Sequence, residues 1–266
     1  MIKNLGKKSV FPVGIGTWGI GGKSTAIHKN DESEIISIEY AISKGINVID
    51  TAEMYAAGHS EEIVGKAIKK FEREELFIIS KVWPDHLKRD DLIKSARESI
   101  KRLDTDYLDL YLIHWPSNSV PLEESLNAML YLKDNGLASH IGVSNFGPDL
   151  LERAIEISGK HNILADEIEY NYANQKEAES TISFCKKHGI NVIAYSPLSK
   201  GNIPRDERIL RIAKKHGVSE AQVILRFLME DSLPIPKAVK KAHIDDIVES
   251  IKLHLDQNEI NELRKV

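Results

Sequence analysis

The chain has 266 residues with a net formal charge of -4, 42% hydrophobic and 29% charged. That length suits one α/β barrel of about 250 residues, and the acidic balance excludes a general footprint for nucleic acid or an anionic membrane, so any basic site must be local. The lone Cys185 excludes an intrachain disulfide and suits a reducing, cytoplasmic setting, the N-terminal segment lacks the apolar stretch of a secretory leader, and no run approaches the roughly 18 apolar residues of a membrane span.

A hairpin over residues 4–10 is followed by a short strand over 13–17 and a helix over 32–44, stopped by Gly45. The apolar, β-branched run 46–50 then reads as a strand that ends on Asp50, with Tyr55 in the loop or first helical turn beyond it. A helix over 60–71, opened by Ser60, leads to a strand at 76–82 and a helix at 90–103. The alternation continues with strands at 108–115, 140–144, 165–169 and 191–195, and helices at 122–134, 149–157 and 175–188. Helices at 206–215 and 219–230 precede a last strand at 234–237, and helices at 242–253 and 258–265 close the chain. Eight strands in strict βα alternation, with near-continuous apolar cores, predict a single-domain (β/α)8 TIM barrel.

Function in such a barrel collects at the C-terminal strand ends. These ends carry Thr17-Trp18, Asp50, Lys81, His114-Trp115, Ser144-Asn145, residues 167–171, Tyr195-Ser196 and Lys237. All three tryptophans, Trp18, Trp83 and Trp115, fall on this rim and predict an aromatic-walled substrate pocket. Asp50, Lys81 and His114 end neighbouring strands about 4.8 Å apart, so Asp50 and Lys81 can pair with Tyr55 beside them. An ammonium next to a phenol is expected to lower its pKa and make Tyr55 a general acid, while His114 hydrogen-bonds the same substrate oxygen. The group suits protonation of an oxygen on which charge develops as a carbonyl is reduced. Singly, each residue also fits an ordinary role as cap, packed ring, solvated lysine or core histidine; the set is harder to explain that way.

Over essentially its whole length the chain resembles the aldo-keto reductase family. GINVIDTAEMY is similar to that family's DTA…Y signature and LDTDYLDLYLIHWP to its histidine-bearing signature, and IISKVW, GVSNF, AYSPL and IPKA follow in the family's order. The resemblance implies NAD(P)H as hydride donor, Tyr55 as acid, Lys81 and Asp50 as its tuners, and His114 as carbonyl orienter. It also implies that Ser144 and Asn145 hold the nicotinamide carboxamide and that Tyr195 stacks on the ring. Thr17 and Trp18 would lie along the cofactor, Ser196 and Leu198 on the pyrophosphate loop, and Lys237 near the 2′-phosphate.

Three departures stand out. Asp166-Glu167 replaces a usual Asn-Gln, putting a carboxyl that only accepts when ionised where an amide can donate; Ala238 replaces a serine; and His243 stands where an arginine usually grips the phosphate. Lys237, Lys240, Lys241 and His243 still form a local positive cluster, which favours NADPH modestly over NADH. The chain ends at Val266 and the link from Trp115 to Leu122 is short, so an open pocket for small or extended carbonyl compounds is expected, in a monomer.

Two segments mislead. Gly14 to Gly19, GIGTWG, fits a dinucleotide fingerprint but no helix opens after it, and TWGIGGKS lacks the first glycine of a phosphate loop. Rival readings are a non-catalytic NADPH-binding regulatory subunit and a metal-dependent barrel hydrolase built on Asp50, His59, His114 and Glu169. The hydrolase lacks a paired-histidine ligand motif and leaves Tyr55 and Lys81 idle, so no metal is expected in the reaction.

Overall fold

Eight parallel strands stand side by side in the computed structural model, which describes residues 3–264. In chain order, a hairpin of β1 (Lys3–Leu5) and β2 (Lys8–Val10) precedes β3 (Ile15–Gly16), α1 (Asp31–Ser43), β4 (Val48–Asp50), α2 (His59–Ile68), β5 (Phe77–Val82) and α3 (Arg89–Leu103). Then come β6 (Leu108–Ile113), α4 (Leu122–Asp134), β7 (Ala138–Ser144), α5 (Pro148–Ser158), β8 (Ile163–Glu169), α6 (Gln175–His188) and β9 (Asn191–Tyr195). The chain continues through α7 (Glu207–His216), α8 (Glu220–Leu228), β10 (Leu233–Pro234), α9 (Lys241–Glu249) and α10 (Gln257–Leu263). Sheet order runs without a break from β3 to β10. The Gly14 and Gly16 amides donate to Pro234 O at 2.9 Å and Pro236 O at 3.2 Å, joining the last strand segment to the first and closing the barrel. Glycine is needed at that seam: a Cβ on Gly16 would lie 2.7 Å from Ile235 O.

The inward face of the strands explains where the site must fall. Val48, Phe77, Ile79, Leu110, Leu112, Ala165, Ile193, Leu233 and Ile235 fill the barrel, and Leu5 and Val10 of the hairpin join this cluster. Side chains alternate along a strand with period two. Two residues beyond this apolar layer, the same faces carry Asp50, Lys81, His114, Glu167, Tyr195 and Lys237. The intervening residues, among them Ile49, Ile78, Tyr111, Ile113, Ile141, Val143 and Ile168, point outward and pack with Ile63, Val64, Leu92, Leu126 and Met129 of the surrounding helices. Each such fully buried aliphatic side chain contributes about 1.5–3 kcal/mol, so the polar layer rests on a rigid apolar floor.

The (β/α)8 expectation agrees with this architecture, and the differences are local. The last strand is Leu233–Pro234 rather than residues 234–237, because Pro234 and Pro236 have no N–H to give to a ladder. Helix α2 opens at His59 after Gly58, whose φ is 91°. Ser60 does not cap it; its hydroxyl turns inward and donates to Thr17 Oγ1 at 2.9 Å. The helix expected over 242–253 breaks into α9 and a 3-10 turn, Ser250–Lys252. Lys265 and Val266 lie outside the described residues.

Candidate active site

Lys81 is the centre of the site. It is fully buried, and its Nζ donates to Asp50 Oδ2 at 2.5 Å, to the carbonyl of Thr51 at 3.0 Å and to the Tyr55 hydroxyl at 3.5 Å. Glu167 Oε1 lies 3.4 Å away on the far side. Strand register makes the first contact possible: Asp50 pairs with Ile79, and Lys81 is the next residue on the same face of β5. Tyr55 is placed by a tight turn, with its amide bonded to Ala52 O at 3.0 Å. Ala56 and Ala57 follow with φ of 52° and 54°, a left-handed conformation that costs non-glycine residues energy and concentrates at functional sites.

The electrostatics correct one expectation. Burial favours a neutral amine, but the charges of Asp50 and Glu167 more than offset it and hold Lys81 above the ordinary lysine range. Burial pushes the Glu167 carboxyl well up, and the neighbouring Asp50 charge adds to the effect. Burial also raises Asp50, with Lys81 pulling it back. Tyr55 was expected to be lowered by the ammonium. Instead burial raises it, and although Lys81 opposes this, the Asp50 and Glu167 charges reinforce it. Tyr55 is therefore a phenol that keeps its proton at neutral pH.

His114 is buried, and burial together with the Lys81 charge pushes its pKa down to about 3, so the imidazole is neutral. Its Nδ1 has no hydrogen-bond partner within the protein. Aromatic rings surround the acid: Trp18 lies edge-on to Tyr55 at 5.1 Å between centroids, His114 edge-on to Tyr55 at 5.7 Å, and Trp83 edge-on to His114 at 5.2 Å. Trp18 and Trp115 are 39% and 43% exposed, so the rim presents wide apolar faces to solvent. Sequence reasoning missed Glu53, which accepts from the Trp83 amide at 2.7 Å and meets His86 Nδ1 at 3.0 Å; its place inside DTAEMY was the available signal.

The ends of β6 to β9 are tied together by the residues expected at a nicotinamide. Ser144 Oγ donates to Glu167 O at 2.7 Å; Asn145 Nδ2 donates to His114 O at 3.1 Å and Ser144 Oγ at 2.9 Å; Tyr195 OH donates to Asn145 Oδ1 at 2.9 Å. Asn145 adopts a left-handed φ of 63°. Beside this network Glu167 Oε2 is buried without a partner, an oxygen to which a carboxamide can bond. The residues present therefore fit a nicotinamide cofactor. The loop after β9 is left-handed at Ser196, Ser199 and Lys200. Leu198 packs its side chain against the core.

Thr17 is fully buried with its hydroxyl held by Ser60; it braces the first strand end while Trp18 reaches the rim. Lys237 is exposed and donates to Gly19 O at 3.4 Å. Lys240 and His243 are exposed at the start of α9, and Lys241 Nζ sits 5.1 Å from the Tyr40 ring centroid. The hydrolase constellation is not assembled: both ring nitrogens of His59 face Asp31 and Glu62, and Glu169 is exposed.

The aldo/keto reductase family pattern matches residues 12–266. Methylglyoxal reductase DkgB of Salmonella typhimurium is 39% identical over 87% of this chain and 86% of its own length. Methylglyoxal reductase YeaE of Escherichia coli is 32% identical over 100% and 94%. Among solved structures, the thermostable aldo-keto reductase Tm1743 superposes with a TM-score of 0.95 at 42% identity, covering 99% of this chain and 98% of that one. An aldo-keto reductase from Klebsiella pneumoniae in complex with NADPH gives a TM-score of 0.87 at 31% identity over 96% and 90%. This chain belongs to the aldo/keto reductase family. It is an NAD(P)H-dependent oxidoreductase that reduces carbonyl compounds to alcohols.

Proposed function

We propose that the chain reduces small aldehydes, 2-oxoaldehydes such as methylglyoxal among them, with Tyr55 as the general acid and NADPH favoured modestly over NADH. The carrying observation is the buried Lys81 held between Asp50 and the Tyr55 hydroxyl. When bound, the reduced nicotinamide supplies the hydride that becomes the new C–H bond. Tyr55 gives its proton to the carbonyl oxygen as negative charge develops there, and Lys81 stabilises the phenolate left behind. The neutral His114 ring offers an N–H to the same oxygen and fixes its direction. Ser144, Asn145 and Glu167 would hold the carboxamide, Tyr195 the ring face, Ser196 and Leu198 the pyrophosphate, and Lys237 and His243 the 2′-phosphate.

The substrate class is supported by the names of the relatives, methylglyoxal reductases DkgB and YeaE and the glyoxal reductase of Bacillus subtilis. The exposed Trp18 and Trp115 at the rim, with the partly buried Trp83 beside His114, suit small carbonyl compounds. The positive residues around Lys237, and the NADPH bound by the Klebsiella relative, support the cofactor preference. The single cysteine fits a reducing cytoplasm, and no helix among the described residues is long and apolar enough to cross a membrane. Replacing Tyr55 by Phe removes only the acid, so turnover of methylglyoxal with NADPH falls about 100-fold or more while cofactor affinity is kept. Unchanged turnover in Tyr55→Phe would overturn the assignment.

A further inference from the structure

Away from the catalytic layer, two histidines and an aspartate converge where the loop after β3 meets the start of α2. His59 Nε2 lies 2.9 Å from Asp31 Oδ1, and His28 Nδ1 lies 3.4 Å from Asp31 Oδ2. One ligand atom from each of His28, Asp31 and His59 falls within 4.8 Å of the others. The imidazoles pack edge to face, 4.1 Å between centroids. On the other side of His59, Nδ1 meets Glu62 Oε2 at 2.8 Å. That contact is what a metal-binding histidine requires: a carboxylate holding one ring nitrogen as N–H, so that the other presents its lone pair. Gly21 makes room for the ring, since a Cβ there would lie 2.9 Å from His59 Cδ2.

An ion-paired His59 bridging Asp31 and Glu62 accounts for that ring alone. His28, 70% exposed, reaches the other oxygen of Asp31 at 3.4 Å and packs over the buried His59, so a second imidazole shares that carboxylate. We propose that His28, Asp31 and His59 form a site for a borderline divalent transition-metal ion such as Zn2+, with Glu62 orienting His59 and water completing the coordination. Two imidazole nitrogens and one carboxylate select Zn2+, Co2+ or Ni2+ over Mg2+ or Ca2+. The exposed His28 gives the ion access from solvent, and small side-chain shifts bring the three donors to bonds of about 2.0–2.2 Å. The site lies outside the reaction. It would clasp the loop that carries Trp18 to the helix that follows Tyr55, the two segments whose rings meet at 5.1 Å.

The test is Zn2+ titration of the untagged full chain by calorimetry at about pH 7.5, since a metal must displace any proton on its ligands, together with the visible spectrum of the Co2+ form. The expected result is one ion per chain and a melting temperature raised by about 5 °C at about 100 times the dissociation constant. Mg2+ should give no such shift. His28→Ala, at an exposed ring, and His59→Gln should each weaken Zn2+ affinity by about 10-fold or more. His28→Ala decides the matter if the buried substitution impairs folding. Absence of binding at submillimolar Zn2+, or the same affinity in His28→Ala, would overturn the site.

Discussion

Glu167 stands 3.4 Å from the Lys81 ammonium without capturing it, because Asp50 holds the same nitrogen at 2.5 Å. Both carboxyls are sealed from water and share one cation. Were both ionised, the buried layer would carry an uncompensated negative charge, which costs several kcal/mol. With Glu167 protonated, Lys81 and Asp50 form a neutral pair, and the acid at 167 offers an O–H donor beside a carbonyl acceptor, where the amide usual at that position offers an NH2 beside its carbonyl. The departure from the family pattern is thus chemically smaller than it reads in the sequence.

Glu167→Gln tests this protonation state. A carboxyl whose folded pKa is raised contributes stability that is fully present below its unfolded pKa of about 4.3 and is lost as pH rises through the folded value. The amide has no such dependence. Glu167→Gln should therefore be more stable than the parent at pH 7 to 8 by about 1 kcal/mol or more, an advantage that disappears toward pH 4. Chemical denaturation at those pH values measures it. A variant that is less stable than the parent at pH 7 to 8, with the deficit shrinking toward pH 4, would mean that Glu167 is ionised and paired in the fold.

A second consequence concerns Tyr55. Because burial outweighs Lys81, the phenol stays protonated, and the profile of kcat/KM against pH should show no falling limb up to about pH 9. Steady-state rates with NADPH and methylglyoxal provide the check. A limb centred near pH 8 would mean that the lysine charge prevails over its neighbours.

The barrel and the catalytic group were legible because both follow from local periodicity. Strand interiors with period-two faces show which residue comes one layer above the apolar floor, and that residue is polar at Asp50, Lys81 and His114. The meeting of Lys81 with Glu167 was not legible, since those residues end β5 and β8 and approach only across the barrel interior. The sign of the Tyr55 shift was lost because burial of the phenol sets it, and a pairwise reading of Asp50, Tyr55 and Lys81 leaves desolvation out. The 234–237 strand was overdrawn by treating IPKA as a ladder when its proline cannot donate. The contact of His59 with His28 and Asp31 was not legible, because those residues adjoin a loop without hydrophobic periodicity, where sequence spacing carries no information about contact.

His114 yields the last prediction, and its sign is opposite to that of Glu167. Burial and Lys81 push the imidazole down to about 3, whereas in the unfolded chain it titrates near about 6.5. Its contribution to stability is thus fully present above about pH 6.5 and is lost as pH falls toward the folded value, because the unfolded state takes up the proton first. Between those limits the loss is about 1.4 kcal/mol per pH unit. His114→Gln keeps a polar group of similar size but has no proton to take up. Its stability should fall less steeply than the parent's between pH 6.5 and 4.5, by about that slope, in denaturation curves recorded at matched ionic strength. The variant should also lose turnover, since the aligned N–H to the carbonyl oxygen is gone. Parallel stability curves would mean that His114 takes up its proton in the fold as readily as in the unfolded chain, so that burial and Lys81 do not hold the ring neutral.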